Sequence, residues 1–284
     1  MTDPAAVQWW CSALGATWNW EWQPYPGVWL FMLLFAAAYW WLARRLTAGA
    51  DTTRTPWRTV AAVAGVICLW LTLDWPVGKL GAGYLASVHA FQFVMLAMII
   101  PPLLLFGIRP QAVARLAARP RLVRVISVLT VPFPSMIVFT IVMVATHVPS
   151  VVDGLMVSQL GSFGLDMAWF LSGLSFWWSL LVPVPARPRF VPLLRIVYLF
   201  FGTLAHLFIA MWLLISRYPV YATYELAPPF TGLSPLDDQQ VAGGVMLALG
   251  STFILLSVTI VFFRWLGVGA ERDEPTAPDG FATR

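Results

Sequence analysis

Three histidines, His89, His147 and His206, lie in or beside three different apolar stretches of the chain. Methionines accompany them. Met143 precedes His147 by four residues and so shares its helix face. Met211 follows His206, and Met246 opens a further apolar stretch; Asp166 sits inside another. Imidazole and thioether form a soft donor set that suits Cu(I), while imidazole alone suits copper or zinc. Three histidines on three helices could build one such site. The same residues also serve as hydrogen-bonding side chains between helices and as fillers of apolar gaps. No close-spaced HxxxH pair decides between these readings.

The richest stretch is residues 83–107, GYLASVHAFQFVMLAMIIPPLLLFG. It is apolar and long enough to cross a bilayer, yet it holds His89, Gln92, two methionines and the pair Pro101-Pro102. Polar groups inside a span are costly and face the protein interior or a water-filled cavity. His89 and Gln92, at i and i+3, are expected on one face. That face is either a ligand site or a hydrogen bond to a neighbouring helix.

The elements that position these groups follow from composition. The chain has 284 residues, of which 60% are hydrophobic and 11% charged. Soluble domains carry about 25% charged residues, so the chain reads as an all-α, multi-pass membrane protein. Seven spans are expected, at about Val28–Ala43, Val60–Leu73, Gly83–Gly107, Val125–Thr146, Phe163–Pro183, Leu193–Ser216 and Val241–Phe263. Residues 1–26, rich in tryptophan, suit a segment at the headgroup level. Residues 27–266 form the membrane domain, and 267–284 a polar, disordered tail. The first 26 residues have no Lys, Arg or sustained apolar run, so no signal peptide is expected.

Charge sets the orientation. With the N-terminus outside and the C-terminus cytoplasmic, the inner connections and tail hold 15 of the 17 Lys and Arg. The basic balance therefore reflects topology, and nucleic acid is not an expected partner. His89 then lies ~9 Å in from Gly83 and His206 ~15 Å below Ser216. His147 falls at the outer boundary. Asp237 and Asp238 open the seventh span, where carboxylates favour the helix dipole. Cys11 and Cys68 form no CxxC pair, and no disulfide between them is expected.

Other chemistries lack their motifs. There is no GxSxG, HExxH, P-loop lysine or CxxCH, and the chain does not read as an enzyme. Haem held by two histidines, or transport of a small molecule, remains an alternative without distinctive spacing.

Four patches in order resemble the CtaG family of cytochrome c oxidase assembly factors, the seven-span type found with bacterial haem–copper oxidases. HAFQFVMLAMIIPPLLLFGIRP is similar to the family's HxxQHxLLxxxAPPLLxLGxP. THVPSVVDGLM resembles WHxPxxYDxAL, FLSGLSFWWSLL resembles FLxxGLLFWWPxL, and SPLDDQQVAGGVM resembles SPLxDQQLAGxxMW. The resemblance covers roughly residues 28–266. It implies a role in maturing the oxidase in the bacterial plasma membrane, with oxidase subunits and the lipid bilayer as partners and copper as the metal concerned. It carries over His89, Gln92, His147, Pro149, Asp153, Asp238, Gln239, Gln240 and Met246.

The departures also matter. Phe93 stands where the family has a second histidine, and Leu165-Asp166 where it has a glutamate–histidine pair. Thr146, Val152 and Leu247 replace two tryptophans and a tyrosine. The resemblance thus implies a thinned site. Either copper is held with methionine or Asp166 substituting, or the protein is a metal-free chaperone of the oxidase.

Overall fold

A computed structural model describes residues 8–13, 15, 17–49, 55–183, 190–230 and 232–273. Proline punctuates the chain. Eight helices open on one: α1 (Pro26–Thr47), α2 (Pro56–Leu73), α6 (Pro110–Ala117), α7 (Pro120–Leu129), α8 (Pro132–Ala145), α9 (Pro149–Met156), α11 (Pro192–Ile215) and α13 (Pro235–Val245). At that position the missing N–H has no partner to lose and the fixed φ suits the helix. The remaining helices are α3 (Val77–Gly83), α4 (Ala86–Val94), α5 (Ile100–Gly107), α10 (Gln159–Leu181), α12 (Ala222–Glu225) and α14 (Thr252–Asp273). The described residues form no strand.

Among the described residues, five helical stretches are long and apolar enough to cross a membrane: 26–47, 56–73, 86–107, 192–215 and 235–266. A sixth arises if α7 and α8 count as one bent span. The sequence reads Val125–Thr146 as one span, but α7 and α8 meet at 50°. Pro132 disfavours helical backbone at Val131, which is extended at ψ 125°. Ser135 and Ser175 then close the corner, both donating to the Leu129 carbonyl. α10 has 23 residues, but its serines, glycines, tryptophans and Asp166 lower its hydropathy. At the C-terminus α14 continues to Asp273. Residues 274–284 of the expected tail lie outside the described residues.

The span 86–107 is the axis of the bundle. Two-thirds of its most apolar window is buried within the protein, against 11% for the first and last spans. It packs against α2 and α10 through α5 and against α13 through α4. Its proline pair does not break it. A π-helical turn, Met95–Ile99, precedes Pro101. Pro101 has no N–H to give the Ala97 carbonyl, its i−4 partner. That carbonyl instead accepts the Trp177 indole N–H from α10 at 3.3 Å. Gly173 lets α10 approach so closely: a Cβ there would lie 2.4 Å from the same oxygen.

The N-terminal segment is part of the bundle. The Trp9 and Trp10 amides donate to the Gln159 side chain, Ala13 N–H to the Met156 carbonyl, and Gly27 N–H to the Trp9 carbonyl. Trp10 is 1% exposed. Trp18 packs edge-on against Tyr84 and Phe230. Trp20 and Trp22 remain exposed, which suits the headgroup level expected for the segment.

Candidate functional site

Two of the three histidines meet one phenylalanine, and Trp169 joins the third to it. The Phe93 ring lies 4.8 Å from that of His147 and 5.8 Å from that of His206. Trp169 of α10 lies 5.3 Å from Phe93 and 4.9 Å from His89. Tyr224 of α12 lies 5.6 Å from His89. The result is a buried cluster of three imidazoles joined through aromatic rings. α4 supplies His89 and Phe93, the α8–α9 turn supplies His147, and α11 supplies His206.

Hydrogen bonds assign the imidazole protons. His147 Nδ1 is 2.7 Å from the Met143 carbonyl, and His206 Nε2 is 3.0 Å from the Met246 carbonyl. A carbonyl only accepts, so each of these nitrogens carries the proton. The lone pairs then sit on His147 Nε2 and His206 Nδ1. Among the described residues, His206 Nδ1 is buried without a partner, and so is His89 Nε2. Buried polar atoms are nearly always paired, so two orphaned imidazole nitrogens in one cluster mark it as a place where a ligand could bind.

The Met246 carbonyl opens a second π-helical turn, Met246–Ser251. π turns recur at functional sites because they offset backbone carbonyls from the regular ladder. Gly250, in this turn, makes room for the imidazole. A Cβ there would lie 2.4 Å from His206 Nε2 and 3.3 Å from the Met98 sulfur.

The other sequence-predicted residues divide between this cluster and the frame around it. Met143 and Met246 are fully buried, but what they give the histidines is a carbonyl each. Met211 is 39% exposed and lies off the buried face of α11, which carries His206 and Ala210. It does not join the cluster. Asp166 accepts the Trp10 indole N–H at 2.8 Å and thereby anchors the N-terminal segment. Gln92 does not pair with His89. Its amide donates to the Thr72 carbonyl at 2.9 Å, and its oxygen presses on Gly81, while the His89 ring turns toward Trp169 and Tyr224.

The remaining motif residues are staples at the same end of the bundle. Pro149 opens α9. Asp153 accepts from the Ala222 and Thr223 amides and the Thr223 hydroxyl, capping α12. Asp238 does the same for α4 from α13, accepting from Ala86 N–H at 2.6 Å and from Ser87. Gln239 accepts from Val220 N–H and donates to the Leu213 and Tyr218 carbonyls; Gln240 donates to the Ser216 carbonyl. These bonds fix α4 and α12, and so His89 and Tyr224.

Sequence reasoning missed Trp169, Tyr221, Tyr224 and Met98 as neighbours of the histidines. Tyr221 donates to the His147 carbonyl and Tyr224 to the Gly81 carbonyl. Trp169 donates to the Thr146 hydroxyl at 2.8 Å. Aromatic residues abound in this chain, so nothing in their types singled these out. Met98 lies in a π turn, whose register a 3.6-residue period does not describe. Above the cluster, Tyr224 also lines a cleft with Tyr84, Leu85, Phe230 and Asp238. Tyr224 therefore touches both that cleft and His89.

As for metal, no group of three or more His, Cys, Asp or Glu among the described residues is placed to hold an ion. The Phe93 ring occupies the middle of the cluster. What remains are imidazole nitrogens without a hydrogen-bond partner among the described residues, a donor type that suits copper or zinc.

Fold and site together define a multi-pass helical membrane protein with a buried imidazole–aromatic cluster at one end. The chain belongs to the family of cytochrome c oxidase caa3 assembly factors (Caa3_CtaG), whose model matches residues 37–267. No curated protein and no solved structure matches it.

Proposed function

We propose that this protein assists maturation of a haem–copper cytochrome c oxidase by holding Cu(I) as cargo at the outer face of the bacterial plasma membrane. In this reading α10 and the bent α7–α8 unit complete seven spans, with the N-terminus outside. The observation that carries the proposal is the pair of orphaned imidazole nitrogens, His89 Nε2 and His206 Nδ1, in a buried cluster. An apolar, aromatic-walled site would shield Cu(I) from water. A small number of imidazole donors would hold the ion loosely enough to release it to a client subunit.

The test is metal content. Protein purified with Cu(I) should retain copper near one per chain, and the His89→Ala, His147→Ala, His206→Ala triple variant should lose it while keeping its thermal unfolding transition. Copper unchanged in a folded triple variant would sink the proposal.

A second reading is favoured by Phe93. A benzyl ring at the centre of three imidazoles suits packing, and a metal-free chaperone would need only the fold. Oxidase subunits that co-purify with the native protein and with the triple variant alike would support this reading over cargo handling.

A further inference from the structure

The opposite end of the bundle carries a different kind of surface. Arg58 of α2 donates to the Phe106 and Ile108 carbonyls at the end of α5. Arg115 of α6 donates to the Arg45 and Ala48 carbonyls, where α1 ends. α6 and α7 thus cross this end as two short helices of 8 and 10 residues, each begun by a proline. Both are amphipathic. Arg115, Arg119, Arg121 and Arg124 are exposed, while Ala112 and Leu116 bury against Leu46 of α1. From Asp74 to Asp153 the chain contains no acidic residue between those two.

Beside these arginines runs an apolar groove. Val113 and Leu116 of α6, Val123 and Ile126 of α7, and Trp178 and Val182 at the end of α10 line it. Trp178 is the one lining side chain among the described residues that carries a polar group, its indole N–H. That N–H is buried and has no hydrogen-bond partner among the described residues, although an unpaired buried donor costs stability. A ligand for this place must therefore be anionic at one end, offer an acceptor a little deeper, and be apolar beyond that.

We propose that the α6–α7–α10 groove binds an anionic phospholipid. The phosphate group lies among Arg119, Arg121 and Arg124, whose guanidinium forks match phosphate oxygens. An ester or phosphate oxygen accepts the Trp178 N–H, and an acyl chain lies along Val113, Val123 and Ile126. Short amphipathic basic helices next to spans attract anionic headgroups. The lipid would also fill the corner between α7 and α10.

The experiment uses the full chain, stripped of lipid in detergent and supplied with phosphatidylglycerol or phosphatidylcholine, with retained lipid counted by native mass spectrometry. Phosphatidylglycerol should be retained about tenfold or more over phosphatidylcholine, given the contribution of each arginine near such a headgroup. The R119Q/R121Q/R124Q variant should lose that preference, whereas R44Q/R45Q, with nearly the same charge change at the same end, should keep it. Trp178→Phe keeps the ring, removes the donor, and should lower retention about threefold to tenfold. Equal retention of the two lipids by the native protein would overturn the proposal. So would a preference that survives both R119Q/R121Q/R124Q and Trp178→Phe. Displacement of phosphatidylglycerol by inorganic phosphate at equal concentration would make this a free-anion site and overturn the lipid assignment.

Discussion

The Phe93 ring stacks on the His206 imidazole, with centroids 5.8 Å apart and planes 25° from parallel. With His147 on another side of the same ring at 4.8 Å, this contact puts a hydrocarbon ring against two of the three imidazoles. It governs how the site can be tested.

Phe93→His should place a fourth imidazole at the centre of the cluster. Expected is an increase in Cu(I) affinity of at least about tenfold, since a further imidazole donor strengthens such a site. Competition against a chromophoric Cu(I) chelator measures it. Phe93→Ala should instead lower unfolding stability by about 3–5 kcal/mol, the usual cost of emptying a buried phenylalanine site. No gain in copper affinity for a folded Phe93→His protein would mean that the three histidines do not face a common point.

Asp238→Ala removes the carboxylate that caps the start of α4. The cost should be about 1–3 kcal/mol, because the Ala86 N–H is left buried without its acceptor. Hydrogen exchange should rise at Ala86 and Ser87, while the first turn of α11 should be unaffected.

Gly173→Ala should be poorly tolerated. The added Cβ would meet the Ala97 carbonyl at 2.4 Å, a backbone atom held in the axial span. Gly154→Ala is the control, since nothing lies within 4 Å of a Cβ there. The thermal midpoint should fall for the first and stay or rise slightly for the second.

Cys11 gives a pH test. Burial pushes its thiol well above the ordinary value of 9.0, and the nearby Asp166 and Asp74 push it further. The thiolate is the reactive form, so maleimide labelling of Cys11 in folded protein should stay slow through pH 9. The sign for stability follows. The folded state holds its proton to higher pH than the unfolded chain. The stability from this group is full below pH 9 and falls as pH rises from there toward the folded value. Rapid labelling at pH 7 in folded protein would contradict the burial of this segment.

Much of this protein was legible in its residue order. Runs of apolar residues with few charges specify membrane-crossing helices because a bilayer leaves backbone groups no partner but their own helix. Prolines mark where helices begin, and the four patches carry the family resemblance in residue order alone. Span direction and rise per residue give each histidine an expected depth, but whether the three meet was open until the helices were packed.

What the tertiary structure alone decided is which side chains meet. Gln92 and His89 share a helix face by spacing, yet adjacent helices pull them to different partners. Asp166 was expected beside the metal and instead holds Trp10, because the N-terminal segment folds back across α10. Asp153, Asp238, Gln239 and Gln240 proved to cap helices far away in the chain. Hydrogen bonds from buried backbone amides must be satisfied somewhere, but the sequence does not say by whom. The two π turns and the position of Phe93 among the imidazoles are of the same kind. They depend on how whole helices rotate and pack, and only the assembled bundle sets that.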